Sequence, residues 1–97
     1  NSLSSTGSAP SLFKLEKPYP NPFNNNISIP IFSHVKSSAS IDVFDLVGRK
    51  VHTIYEGALQ PGTTYFLWDA KIAANGIYVI RSIVNGKKNY DKIMLLK

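Results

Sequence analysis

The sequence predicts an all-β protein: an antiparallel β-sandwich of about seven strands without a disulfide. Apolar residues occur in short runs rich in Val, Ile, Tyr and Phe, the composition typical of strands. Turn residues separate these runs. No window has apolar residues at i, i+3, i+4 and i+7 over the turns that a surface helix needs. Several short strands spaced by turns indicate two packed antiparallel sheets.

Alternating or continuous apolar residues define each predicted strand. Ile27, Ile29 and Ile31 alternate with other residues, whereas Ile77–Val84 is almost entirely β-branched or aromatic. Pro30 cannot donate a hydrogen bond to a sheet, so we expect its strand to lie at an edge or to carry a bulge. The predicted runs are residues 27–32, 41–44, 51–55, 64–69, 77–84 and 88–96.

Glycine, proline and asparagine mark the connections between these runs. Asn85-Gly86 predicts a tight hairpin because both residues tolerate positive φ. Asp45–Gly48 and Gln60-Pro61-Gly62 predict further turns, and Asn75-Gly76 precedes the strand from Ile77. Trp68 is expected to pack between the sheets. The Cys–Trp–Cys pattern of immunoglobulin domains is absent, so an immunoglobulin-like fold would be a likeness of architecture.

Length and composition favour one domain preceded by a linker. The 97 residues leave room for a single domain. Residues 1–11 are mostly Ser, Thr, Gly, Ala and Pro, and we expect them to form a flexible linker from an upstream domain. A cloning remnant explains the first few residues equally well. Residues 12–97 form the predicted sandwich, which we expect to be part of a longer protein.

The residue types argue against catalysis, a cofactor or a metal site. No cysteine is present, and the two histidines, His34 and His52, lack a second histidine at metal-ligand spacing. Two carboxylates could flank a glycosidic bond, but a sandwich this small offers no deep cleft to tune them. Neither a G-x-S-x-G elbow nor a phosphate-binding glycine loop occurs. The apolar runs are also far too short for a membrane-spanning helix.

Positive charge is concentrated near the end of the chain. The chain carries a net charge of +5, and residues 81–97 hold five cations and one carboxylate. A solvated hairpin whose lysines prevent edge-to-edge aggregation explains this. A patch for an acidic protein or a polyanionic glycan is the sharper interpretation. Nucleic acid fits poorly, because only Tyr90 lies among the lysines as a stacking residue.

Tyr19–Asn24, here called the Pro-rich segment, is the most unusual stretch. Prolines alternate with other residues, and each proline fixes its own φ and favours extended geometry before it. A stiff segment of this kind could present Tyr19 and Phe23 to a partner, or it could join the first strand to the sandwich. Its residues are Tyr19, Pro20, Asn21, Pro22, Phe23 and Asn24.

Taken in order, these stretches resemble a known family. The Pro-rich segment is followed by Val43–Val51, Pro61-Gly62, Trp68-Asp69 and Asn75-Gly76-Ile77-Tyr78, and the chain ends on Lys92–Lys97. This order is similar to the C-terminal sorting domain of type IX secretion system cargo proteins of Bacteroidota. It also resembles the immunoglobulin-like domain of flagellar hook-capping proteins. The resemblance extends over residues 12–97, nearly the whole chain.

The resemblance implies a transport signal with no activity of its own. After export of the cargo to the periplasm, a domain of this family docks on the outer-membrane translocon and its shuttle protein. A surface sortase often removes it, and the cargo reaches the cell surface, where it is joined to an anionic lipopolysaccharide or is released. The implied recognition residues are Gly76, Tyr78, Lys92, Ile93, Met94, Leu95, Leu96 and Lys97, and the implied cleavage region is Ser8, Ala9, Pro10, Ser11 and Leu12.

We expect the last strand to be recognised by strand addition at an exposed edge, with no insertion into the membrane. The alternative is an accessory sandwich, either a spacer or a carbohydrate-binding module beside a hydrolase domain. Exposed aromatic residues would form such a sugar platform, although most of the candidates are expected to pack inward. These candidates are Tyr19, Phe23, Tyr55, Tyr65 and Phe66.

Overall fold

Seven strands form two antiparallel sheets in the computed structural model, which describes residues 13–97. This arrangement confirms the predicted β-sandwich. Each of the six predicted runs lies in a strand, except that Leu96 follows the end of β7, and the seventh strand, β1, was not predicted. The strands are β1 (Phe13–Leu15), β2 (Asn26–Ser33), β3 (Ser37–Phe44), β4 (Lys50–Leu59), β5 (Gly62–Asp69), β6 (Gly76–Val84) and β7 (Lys87–Leu95).

The two sheets contain three and four strands. One sheet has the order β1-β2-β5, and the other has the order β4-β3-β6-β7. The β4–β5 connection crosses from one sheet to the other. Since β6 begins at Gly76 and pairs there with Leu95, the end of β7 lies beside the loop that precedes β6.

The core is formed by the inward-facing residues of both sheets. Ile27, Ile29 and Ile31 of β2 are buried, as their alternation predicts. Trp68 is buried between the sheets, and its ring packs against Tyr78 with a centroid separation of 5.5 Å. Edge-to-face packing of this kind stabilises a core beyond its area alone. Trp68 therefore occupies the predicted interior position.

Pro30 does not mark an edge strand, so that prediction was wrong. β2 lies between β1 and β5, and Pro30 pairs with Tyr65 without a register shift. The Pro30 carbonyl accepts a hydrogen bond from the Glu16 amide, so the side of Pro30 that lacks a donor faces the chain just beyond the end of β1. Because β1 ends at Leu15, the missing donor lies beyond the paired part of β1 and β2.

The predicted turns have the expected backbone geometry. Asn85 and Gly86 join β6 to β7 with φ values of 51° and 82°, both in the left-handed region that a two-residue hairpin requires. In the turn after β3, the Asp45 carboxylate accepts hydrogen bonds from the amides of Val47 and Arg49, both at 3.0 Å.

A buried carboxylate lies in the larger sheet. Asp42 of β3 is only 2% exposed and accepts hydrogen bonds from Thr53 at 2.8 Å and Arg81 at 3.0 Å. Burial opposes its ionisation, but these bonds and the positive charge of Lys50 outweigh burial and lower the pKa of Asp42. The ionised carboxylate therefore joins β3, β4 and β6.

Replacing this carboxylate tests its role in stability. Because the pKa of Asp42 is lowered on folding, its contribution is present at neutral pH and is lost as the pH falls below 3.8, the ordinary value for aspartate. We expect Asp42→Asn to lower the unfolding free energy at pH 7 by about 1–3 kcal/mol and to reduce the loss of stability between neutral and acidic pH. Denaturant titrations across this pH range measure both effects. An unchanged acid dependence would contradict the assignment.

Candidate recognition surface

Three motifs that are far apart in the sequence meet at one end of the sandwich. The Pro-rich segment runs beside the last part of β7, and the loop before β6 contacts Lys97. Residues 19–24, 71–78 and 92–97 therefore form one continuous structure, which we call the composite end.

Backbone hydrogen bonds join the Pro-rich segment to β7. The Phe23 amide donates to the Met94 carbonyl at 2.9 Å, and the Leu96 amide donates to the Phe23 carbonyl at 2.8 Å. These two bonds form a parallel bridge that is one residue long. Phe23 thus extends the four-stranded sheet by a short fragment beyond β7.

The Asn21 side chain continues this pairing where the backbone cannot. Its Nδ2 donates to the Lys92 carbonyl at 3.1 Å, and its Oδ1 accepts from the Met94 amide at 3.0 Å. Pro20 and Pro22 on either side have no N–H to offer. A carboxamide provides one donor and one acceptor, so it can replace a peptide group at the sheet edge.

The Pro-rich segment is also fixed to the other sheet. The amide and carbonyl of Tyr19 exchange hydrogen bonds with those of Ser28 in β2, at 2.9 and 2.8 Å. The Phe23 ring is only 2% exposed and lies 5.8 Å from the Trp68 ring, measured between centroids. The segment therefore spans both sheets and contributes a ring to the core.

These contacts correct two of the expectations. Phe23 is a core residue, so it is not presented to a partner. The outer edge of β7 is not open for strand addition between Lys92 and Leu96, because Asn21 and Phe23 occupy it. Backbone groups of successive residues point to opposite sides of a strand, so those of Lys88 and Tyr90 also point away from β6. They lie beyond the stretch that Asn21 and Phe23 cover.

The loop before β6 is held by Tyr78 and Lys97. The Tyr78 hydroxyl donates to the Ala74 carbonyl, while the Tyr78 ring is buried. The Lys97 amide donates to Asn75 Oδ1 at 2.9 Å, and Lys97 Nζ donates to the carbonyls of Lys71 and Ala73. The Lys97 ammonium group thus provides hydrogen-bond donors for backbone carbonyls of the irregular loop before β6. No pattern in the sequence indicates this role of Asn75 and Lys97.

Gly76 begins β6 in a conformation that favours glycine. Its φ is +151°, and no atom lies within 4 Å of where a Cβ would stand. The constraint is therefore conformational, since the space around the residue is free. Gly76 turns the chain from the Ala74–Asn75 loop into the strand that carries Tyr78.

The residues of the last strand divide between core and surface. Ile93 and Leu95 are buried, whereas Lys92, Met94, Leu96 and Lys97 are exposed. Two shallow grooves flank the exposed residues, with volumes of about 160 and 240 Å³. One lies between Asn21 and Met94, and the other between the prolines and Leu96. The exposed part of the composite end thus combines the apolar Met94 and Leu96 with asparagines and lysines.

The basic cluster is smaller than the sequence predicts. Lys87, Lys88, Lys92 and Lys97 are exposed on or just after β7. Arg81 instead lies against the Phe44 ring and forms an ion pair with Asp42 at 3.0 Å. The buried carboxylate of Asp42 therefore neutralises the charge of Arg81. The positive surface follows the last hairpin without Arg81.

The remaining sequence-based sites are placed as follows. The proposed linker, residues 1–11, and the proposed cleavage region, Ser8–Leu12, lie outside the described residues. His34 and His52 are both exposed, and the His52 ring stacks on the Trp68 ring with a centroid separation of 6.4 Å. Within residues 13–97 no three His, Cys, Asp or Glu side chains are grouped to hold a metal ion, and no helix is long and apolar enough to cross a membrane.

The described residues thus form a small β-sandwich in which the Pro-rich segment, the loop before β6 and residues 92–97 meet at one exposed end. The family model of the secretion system C-terminal sorting domain matches residues 17–96, so the chain belongs to this family of type IX secretion sorting domains. The family is not known for enzymatic activity, and membership implies a secreted protein destined for the outer membrane or cell surface. No curated protein and no solved structure gave a significant match.

The two hydrogen bonds from the Asn21 side chain to β7 can be tested by removing its carboxamide. We expect Asn21→Ala to lower the unfolding free energy by about 1–2 kcal/mol, because two hydrogen bonds to the edge of β7 are lost. Asn24→Ala, an exposed asparagine of the same segment outside this bonding pattern, is the control and should change it by less than about 0.5 kcal/mol. Chemical denaturation measures both. Equal effects of the two variants would show that the carboxamide bridge does not hold the segment.

Proposed function

We propose that the chain is the type IX transport signal of an upstream cargo protein, and that the translocon and its shuttle recognise the composite end in its folded form. Family membership supports the sorting role. The observation that carries the finer proposal is the convergence of the Pro-rich segment, the Asn75–Tyr78 stretch and residues 92–97 on one surface.

The division of β7 into two faces separates folding from recognition. Ile93 and Leu95 stabilise the core, so their removal would unfold the domain whatever the partner needs. Met94 and Leu96 are available to a partner, since they face outward beside the shallow grooves. Exposed apolar residues beside a rigid groove are typical of a protein contact. Recognition therefore depends on the outward residues.

Residues 87–92 offer a second element of the contact. Their exposed lysines and the uncovered backbone edge at Lys88 and Tyr90 continue from the composite end along the same strand. Along β7, this stretch is therefore the part open to strand addition, while the composite end acts as a preformed surface.

The later steps of transport extend the same proposal. After passage, a surface sortase removes the domain by cleavage within Ser8–Leu12. The cargo then remains at the cell surface joined to an anionic lipopolysaccharide, or is released. A cut before Phe13, where β1 begins, leaves the sandwich intact, which supports cleavage in this region.

The role of the exposed residues at the end of β7 in recognition is tested by introducing a charge at Leu96, which is not a core residue. We expect Leu96→Asp to reduce export of a fused reporter at least tenfold in a bacterium with a type IX system, because an acidic group replaces an apolar contact. The control is Val35→Asp, which alters a similarly exposed apolar residue, 43% against 52%, at the opposite end of the sandwich. Reporter at the cell surface and reporter retained in the periplasm are measured together.

Thermal unfolding of both purified variants accompanies the export assay. Equal export of Leu96→Asp and Val35→Asp at similar melting temperatures would refute recognition at the composite end. Deleting residues 93–97 is expected to retain the cargo in the periplasm, but it also removes two core residues. The point variants are therefore the sharper test.

Tyr78 is expected to support the composite end from inside. Its buried ring packs on Trp68 and its hydroxyl holds the Ala74 carbonyl, so Tyr78→Phe should retain the packing and lose the loop contact. We expect Tyr78→Phe to lower the unfolding free energy by about 1 kcal/mol and to keep most of the export. Tyr78→Ala should reduce export by more than its measured instability explains. A loss that instability fully explains would assign Tyr78 a purely structural role.

A further inference from the structure

The outer face of the three-stranded sheet carries exposed aromatic residues, and one of them, Tyr65, lies outside the composite end. Of the five aromatic candidates for a sugar platform, Phe23 and Phe66 are buried and Tyr55 is half-buried. Three of the five therefore pack inward, as expected, whereas Tyr19 and Tyr65 are 51% and 65% exposed. These two rings line the same groove.

This groove is a larger concavity than those of the composite end. Its volume is about 630 Å³, within the roughly 300–1,000 Å³ of small-molecule sites. Pro30 forms a buried floor and pairs with Tyr65 across the sheet. Phe32 and Thr63 form a second cross-strand pair in the same groove. The lining is thus made of rings at strand spacing, held by a regular sheet.

Charged side chains stand along one side of the groove. Lys14 and Glu16 form an ion pair at 3.2 Å, so they compensate each other. Lys17 also lines the groove, and within residues 13–97 it makes no ion pair. The groove therefore has one uncompensated positive charge beside its tyrosines.

We propose that this groove binds an acidic polysaccharide. The rings of Tyr19 and Tyr65 would stack on the apolar faces of sugar rings, and Lys17 would bind a carboxylate of the chain. Thr63, the tyrosine hydroxyls and the Lys14–Glu16 pair supply hydrogen bonds for sugar hydroxyls. This activity is additional to the sorting role and shares only Tyr19 with the composite end.

The structure favours a glycan over an extended peptide at this face. A peptide that adds to a sheet needs free backbone groups, and those of β2 at the floor of the groove are already used. β2 pairs with β5 along its full length, the Pro30 carbonyl accepts from Glu16, and Ser28 exchanges bonds with Tyr19. Side-chain rings and donors remain, and these are the groups by which a saccharide is recognised.

The test uses calorimetric titration of the chain with an oligogalacturonate and with its methyl ester, which lacks the charge. We expect saturable binding of the acidic oligomer and at least tenfold weaker binding of the ester. Tyr65→Ala and Lys17→Ala should each weaken binding of the acidic oligomer by about tenfold, because an aromatic contact and an ion pair are removed.

Two matched controls lie on the other sheet. Tyr90 is 60% exposed, close to the value for Tyr65, and Lys88 is an exposed lysine of the same hairpin. Tyr90→Ala and Lys88→Ala should change the affinity by less than about twofold. Absence of saturable binding would overturn the proposal. Equal affinity for the ester, or control variants that weaken binding as much as the groove variants, would overturn it too.

The export assay separates this proposal from the sorting role. Tyr65→Ala is expected to be exported normally, because Tyr65 lies outside the composite end. Loss of binding with normal export would support a saccharide site independent of transport. Loss of export by Tyr65→Ala with an unchanged melting temperature would contradict the separation of the two surfaces.

Discussion

Phe23 links parts of the chain that are far apart in sequence and belong to different sheets. Its ring fills the core beside Trp68, while its backbone pairs with Met94 and Leu96 at the edge of β7. Closing so long a loop costs chain entropy, and the buried ring offsets that cost. Truncating a buried phenylalanine typically costs about 3–5 kcal/mol. Without this residue the Pro-rich segment would lose its position, and with it the composite end.

The same contacts explain how a surface at the end of a strand can be rigid. A terminal strand at a sheet edge is normally free to fray, and its unpaired backbone groups invite pairing with other chains. Here Asn21 and Phe23 satisfy those groups from one side, and Lys97 and Asn75 hold the chain after β7. Met94 and Leu96 are therefore presented from a backbone that is bonded on both sides. Recognition of a preformed surface avoids the entropy of ordering a loose strand.

Residue patterns predicted the fold well, because local rules decide it. Alternation placed Ile27, Ile29 and Ile31 in the core, and the Asn85-Gly86 turn set the last hairpin. The prediction for Pro30 was wrong because the position of a neighbouring strand's end is not visible in a local pattern. β1, with only three residues, is too short to produce a periodic signal.

The composite end was predicted in parts but not as one structure. The Pro-rich segment and residues 92–97 were each identified, yet no sequence rule indicates that an asparagine between prolines will pair with a strand that follows it by about seventy residues. The role of Lys97 was invisible for the same reason, since its partners are backbone carbonyls of a loop. The groove at Tyr65 depends on which side of a strand faces outward, and this depends on the pairing partner.

Native-state hydrogen exchange of the β7 amides tests the central claim most directly, namely that the Pro-rich segment is bonded to the last strand. The amides of Met94 and Leu96 face away from β6 and are covered only by Asn21 and Phe23. The amides of Lys88 and Tyr90 face the same way beyond the segment. We expect strong protection of Met94 and Leu96, close to that of buried Ile80, and fast exchange of Lys88 and Tyr90. Fast exchange of all four outward amides beside a protected Ile80 would contradict the account.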